Sequence, residues 1–265
     1  MKKIISIFII MFVSVNLFAQ TNMIIRTTNG NTHSYPILEI DSVYYEETFP
    51  DCGTVTDYDG NTYQTVTIGT QCWMKNDLQV THYPNGNAIP NITDNTTWGI
   101  LTNNDTADAY CFYNNNSSTD YGALYTYAAA IGDNWQRDND SQNSEGGQGV
   151  CPDGWHLPTD AEWTTLTNYL GGENVAGGKM KEIGTMHWSN PNIGADNSSG
   201  FSALPSGLRY NSGYFDGLGN DGYWWSATES TSDNAYYRFI DCHVTEVTNN
   251  NGTKAFGLSI RCIKD

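Results

Sequence analysis

Basic residues are scarce in this chain: 12 Lys and Arg stand against 29 Asp and Glu, a formal net charge of −17. A surface this acidic repels phosphate backbones and anionic headgroups, so neither nucleic acid nor a membrane surface is expected as a partner. The usual zinc spacings are missing too. No C-x2-C and no H-x3-H occurs, which leaves a structural zinc site without its customary donors, and no metal or cofactor is expected. G-x-S-x-G, H-E-x-x-H and the Walker loop are also absent, so there is no string for a nucleophile elbow, a zinc peptidase or a phosphate cradle. The one long apolar run, residues 4–18, falls short of the roughly 20 residues a spanning helix needs. No membrane span is expected.

That apolar run has another use. Lys2 and Lys3 precede it and Ala19 follows, the order of a secretory signal peptide over residues 1–19. Without Lys2 and Lys3 the chain carries 10 basic and 29 acidic residues, a net −19. Six cysteines follow the leader: Cys52, Cys72, Cys111, Cys151, Cys242 and Cys262. An even count in an exported chain favours disulfides, and six cysteines allow 15 pairings. Aromatic residues make up 13% of the chain, too many for a disordered polymer, because such rings need burial or a ligand.

Residues 20–50 are expected to form a small β-hairpin appendage turning at Asn29-Gly30. The main domain then spans residues 51–265. It begins with a hairpin at Asp59-Gly60. There Asp57, Asp59 and Asn61 echo half of a calcium loop, but the glycine comes too early and Ile68 stands where a glutamate is required. Residues 84–120 read as long surface loops, and 121–130 as a short helix. The polar stretch DNDSQNSEGGQG (138–149) offers Asp138 and Asp140 as calcium candidates, against the plainer reading of a solvated loop.

The stretch GVCPDGWHLPTDAEWTTL (149–166) carries the clearest local signal. Thr159-Asp160-Ala161-Glu162 has the form of a capping box, with Thr159 as N-cap and Glu162 reaching back to its amide. Trp163, Leu166 and Leu170 then share one helical face, and Gly171-Gly172 ends the helix. Glu162 thus has a structural occupation, and His156 has no partner at a catalytic spacing. Farther on, the segments 235–247 and 253–265 flank Asn249-Asn250-Asn251-Gly252. A hairpin there would set Cys242 opposite Cys262. With Cys52–Cys72 across the first hairpin, Cys111 would pair with Cys151.

DYDGNTYQTVTIGTQCWMKNDL, AYCFYNNN, YGALYTYAAA, GVCPDGWHLPTDAEWTTL, GFSALPSGLR, YWWSATE and GLSIRCIKD occur in this order. The series resembles the Fibrobacter succinogenes major paralogous domain over residues 53–265. HLPTDAEW is in turn distantly similar to the RLPTEAEW segment of the formylglycine-generating sulfatase-modifying enzymes. That similarity implies an α+β, C-type-lectin-like fold with two short helices, a twisted antiparallel sheet and long loops. It also implies a rival disulfide, Cys151–Cys262, tying the helix to the last strand. It carries no activity by itself. The enzymes bind copper through paired C-terminal cysteines, and their GNVWEW motif is only echoed by GNDGYWWSA. The E-P-N or Q-P-D of calcium-dependent lectins is also missing.

We therefore expect an exported, non-catalytic binding or surface-interaction protein, secreted, periplasmic or on the cell surface, for an extracellular glycan or protein ligand. An extracellular enzyme acting on glycans or proteins, and a purely structural surface component, are the alternatives. Arg209, Tyr223, Trp224 and Trp225 are the ligand-binding candidates. Strand alternation would turn one of the two tryptophans inward and the other outward.

Overall fold

β-branched and aromatic residues alternating with polar ones dictate most of the architecture, which is mixed α+β with mainly antiparallel sheets. The computed structural model describes residues 22–26, 32–36, 50–117, 120–132 and 147–265. The chain divides into two units, Met1–Thr48 and Phe49–Asp265. In the first, β1 (Asn22–Arg26) pairs antiparallel with β2 (Thr32–Pro36), Arg26 opposite Thr32. The turn expected at Asn29-Gly30 lies outside the described residues. Residues 1–19, expected to be a signal peptide, and the calcium candidates Asp138 and Asp140 lie outside the described residues.

The second unit holds two five-stranded sheets. One has the order β3 (Thr54–Thr56), β4 (Thr62–Ile68), β5 (Gln71–Met74), β14 (Ile263–Lys264) and β8 (Trp155–His156). The other has the order β10 (Phe215–Leu218), β9 (Ser206–Arg209), β11 (Asp221–Glu229), β12 (Asn234–Asp241) and β13 (Val247–Thr253). All pairings within them are antiparallel except the single parallel contact of β11 with β9, Gly222 opposite Gly207. A small ladder joins β6 (Tyr110–Cys111) to β7 (Leu124–Tyr125). The turn before β4 is the plain hairpin: Asp57 accepts from the Asn61 amide and from the Tyr63 hydroxyl, at 2.9 and 2.6 Å.

Four short helices accompany the sheets among the described residues, not two: α1 (Asn95–Gly99), α2 (Tyr127–Ile131), α3 (Asp160–Tyr169) and α4 (Glu173–Met180). The region 84–120 is accordingly more than surface loop. It contributes α1 and β6 and buries Trp98, Tyr110 and Cys111. Residues 121–130 split into β7 and α2, because Thr126 caps α2 by accepting from the Ala129 amide. At α3 the capping box forms as expected: the Thr159 hydroxyl accepts from the Glu162 amide, and a Glu162 oxygen accepts from the Thr159 amide at 2.8 Å. An N-cap of this kind contributes about 0.5–2 kcal/mol. Trp163, Leu166 and Leu170 are all buried, and Trp163 packs on Trp73 with ring centroids 4.7 Å apart. In α4, a Cβ on Gly177 or Gly178 would come within 2.5 Å of the Glu246 or Gly194 carbonyl oxygen. Only glycine lets this helix face approach backbone so closely.

The C-terminal segment overturns the expected last hairpin. Asn249–Gly252 lie inside β13, whose register with β12 runs from Ile240 opposite Val247 to Asn234 opposite Thr253. Residues 257–262 instead thread between the sheets. The Trp225 amide donates to the Ser259 carbonyl, the Leu78 amide to Ile260 and the Met74 amide to Cys262. Cys262 is thereby carried away from Cys242 and set beside Cys151. The disulfides are Cys52–Cys72 and Cys151–Cys262, with Cα atoms 6.3 and 5.9 Å apart, inside the range a disulfide requires. Cys111 and Cys242 are free and buried, so the pairings Cys242–Cys262 and Cys111–Cys151 are both corrected. Hairpin reasoning failed because the final apolar strand is buried on both sides and therefore has to join two sheets.

Candidate functional site

The four residues proposed to bind ligand do not form an exposed platform. Arg209 is fully buried. Its guanidinium donates to the Gly213, Ile92 and Thr93 carbonyls and to Asn95 Oδ1, and it lies 4.3 Å from the Trp98 ring centroid. It fastens α1 to β9. Trp224 and Trp225 do point to opposite faces of β11, yet both are buried, since this strand has a core on each side. The Trp225 indole donates to the Tyr125 carbonyl and the Trp224 indole to Asp77 Oδ1, each at 2.8 Å. Tyr223 alone is half-exposed, and it stacks on Phe239 at 4.9 Å.

The Trp224 indole leads instead to a polar cleft. Its volume is about 380 Å³, and its lining includes Lys75, Asn76, Asp77, Asp120, Glu182 and His187. Asp77 follows β5 and has a side chain only 1% exposed. Besides the Trp224 indole, its Oδ1 accepts from Arg261 Nε at 2.8 Å and from a terminal guanidinium nitrogen at 2.5 Å. Arg261 comes from the strand that threads between the sheets. It is buried too, donates to the Phe201 carbonyl, and lies 4.2 Å over the Phe201 ring. Asp77 Oδ2 has no hydrogen-bond partner among the described residues. A buried carboxylate oxygen left unpaired is costly, and such an atom points to a missing donor.

The opposite wall is built after α4. His187 Nδ1 lies 2.7 Å from Glu182 Oε2, and His187 Nε2 lies 3.6 Å from Asp120 Oδ2. The edge of Tyr121 packs on the imidazole at 5.6 Å. Trp188, next in sequence, anchors this wall by donating its indole hydrogen to the Ala203 carbonyl at 2.8 Å. The cleft therefore presents carboxylates, an oriented imidazole, an ammonium and an amide, a set that pairs with hydroxyl and amine groups.

His156, expected to be without a catalytic-distance partner, has two carboxylate partners. Its Nε2 is 2.9 Å from Glu162 Oε1 and its Nδ1 is 2.7 Å from Asp265 Oδ1. The Glu162 hydrogen bond raises the His156 pKa, burial opposes this, and Asp265 adds to the rise. Burial works to raise Glu162, but His156 and Thr159 outweigh it and hold the carboxyl below its usual value. The histidine's contribution to stability is complete below its unfolded pKa of about 6.5 and is lost as pH rises through the elevated folded value. Urea midpoints followed upward from about pH 6 should fall in the native protein and stay flatter in His156→Gln; equal slopes would refute the linkage.

A second donor cluster lies at the end of β12. Among the described residues, Asp241, Cys242 and His243 form one group whose ligand atoms all lie within 4.8 Å of one another. Burial and the Asp241 charge raise the Cys242 thiol pKa. Because Cys262 is bonded to Cys151, no pair of thiols exists here of the kind the copper enzymes use.

Residues 66–264 match the family profile of the Fibrobacter succinogenes major domain. The chain belongs to that family. No curated protein and no solved structure matches it. In this Fibrobacter succinogenes major domain the matched stretch takes in Asp77, Glu182, His187, Asp241, Cys242, His243 and Arg261 together. Sequence reasoning missed the cleft residues. Asp77 and Arg261 do stand in the segments WMKNDL and GLSIRC, but they are 184 positions apart, and no local period links them.

Proposed function

We propose that this chain is an exported, non-catalytic binding protein, secreted, periplasmic or on the cell surface, that takes a hydroxyl-rich unit of an extracellular glycan in the Asp77 cleft. The observation that carries the proposal is the buried Asp77 Oδ2, which lacks a donor among the described residues, in a residue lining a polar cleft. A cleft of about 380 Å³ falls within the roughly 300–1,000 Å³ of small-ligand sites. Acidic and amide groups pair naturally with sugar hydroxyls. The charge balance of −17 disfavours polyanions as ligands, and no helix among the described residues is long and apolar enough to cross a membrane. The mixed fold, with the turn before β8 bridged by Cys151–Cys262 to the strand that runs between the sheets, supports assignment to the C-type-lectin-like class.

A glycan array followed by calorimetry, run with and without calcium, tests this. Asn76→Ala and His187→Ala should each weaken binding of the selected glycan by roughly 3–10-fold, the loss of one net hydrogen bond. Binding that survives both changes would remove the cleft from consideration. Release of reducing ends from the glycan would instead favour the extracellular enzyme, and an array without any hit the purely structural component.

A further inference from the structure

We propose that Asp241, Cys242 and His243 form a binding site for a transition-metal dication of the zinc class. The three residues are consecutive: Asp241 ends β12, and Cys242 and His243 form the turn that leaves it. They contribute a carboxylate, a sulfur and an imidazole, the mixed donor set that suits a borderline ion rather than calcium or magnesium. His243 Nδ1 is 3.2 Å from Cys242 Sγ and 2.8 Å from Asp241 Oδ1. Bond lengths of about 2.0–2.3 Å in a tetrahedral centre hold its donor atoms roughly 3.3–3.6 Å apart. Small movements of three side chains would therefore close the donors on one ion.

The backbone that carries them is already held from several directions. Lys181 is fully buried, and its ammonium donates to the carbonyls of Asp241 and Val244, which bracket the two residues between them, and to Ile193. The Cys242 amide donates to the Asn220 carbonyl, and the Cys242 carbonyl accepts from the Ile193 amide. The His243 amide donates to Asp241 Oδ1 at 2.7 Å. A turn fixed in this way loses little entropy when it binds an ion.

Two neighbours complete the environment. Asp221 stands directly across from Asp241 in the β11–β12 register. Like charges in that position are unfavourable, and a dication between the strands reverses the sign of the contact. Asn220 Oδ1 lies 3.8 Å from Cys242 Sγ, within reach of a fourth position. His243 has a side chain 62% exposed, so an ion can enter from solvent. On binding, the ion takes the place of the Cys242 thiol proton, which passes to solvent.

The test uses the full chain, freed of metal by a chelator and titrated separately with zinc chloride and cobalt chloride. One ion per chain should bind, and cobalt should give the near-ultraviolet thiolate-to-metal charge-transfer band. Cys242→Ser should abolish that band, while Cys111→Ala should keep it. His243→Ala changes an exposed side chain and leaves the fold intact. It should weaken zinc by more than the roughly 10–100-fold that loss of an outer-shell partner costs. Absence of stoichiometric binding, a band that persists in Cys242→Ser, or unchanged zinc affinity in His243→Ala would each overturn the proposal.

Discussion

Replacing Cys151 and Cys262 together by alanine is expected to lower stability by about 5 kcal/mol, the largest loss available from one covalent link in this chain. The two cysteines are 111 positions apart, and closing a loop of that length removes much of the unfolded chain's freedom. Cys52–Cys72 spans only 20 positions, so its removal should cost about 3 kcal/mol on the same reasoning. The longer bridge also fastens the turn before β8 to the strand that runs between the sheets. Urea denaturation of the two double variants should therefore rank Cys151→Ala/Cys262→Ala below Cys52→Ala/Cys72→Ala. Non-reducing peptide mapping should find both linked pairs, with Cys111 and Cys242 alkylated as thiols. A peptide linking Cys242 to Cys262 would contradict the pairing and the threading of the last strand together.

Asp77→Asn should cost roughly 3–5 kcal/mol, because it strips a buried guanidinium of its counter-charge. Arg261 and Asp77 are both out of solvent, and the Asp77 oxygen that Arg261 grips also accepts from Trp224. An asparagine oxygen retains some of these hydrogen bonds but none of the charge. Removing the cation as well, in Asp77→Asn/Arg261→Met, should recover part of the loss, since replacing a buried pair by packed apolar groups is often neutral. Equilibrium unfolding of the two variants provides the comparison. A single variant as stable as the native protein would show that the pair is hydrated in solution and that the cleft floor is open.

The placing of Trp224 and Trp225 explains why these residues do not form an exposed ligand platform. Alternation along a strand separates the two rings onto opposite faces, and that much holds. A sheet packed on one side only would leave one ring to solvent. Here β11 has a hydrophobic core on either side, so both rings are interior, and Arg209, which looked like a partner for sugar hydroxyls, serves α1 instead. Aromatic and cationic residues attract a binding interpretation because they are versatile, and burial is the property a linear pattern reports least well.

The sequence by itself determined the capped helix α3, the hairpin at Asp59-Gly60, the mixed α+β class, the family and the bridge Cys52–Cys72. The helix and the hairpin depend on residues a few positions apart, the bridge spans only 20 positions, and the family is carried by a series of short contiguous motifs, so these spacings are written in the chain. Only the tertiary structure decided the path of residues 257–262, the choice of Cys151–Cys262, and the meeting of Asp77 with Arg261 and of the Asp77 cleft with His187. Those contacts join segments separated by scores of residues, where the burial available to a whole strand outweighs any local turn preference. Asp241, Cys242 and His243 lie between the two cases. Their adjacency was legible from the start, but their donor atoms converge because Lys181 and Asn220 hold the turn that carries them.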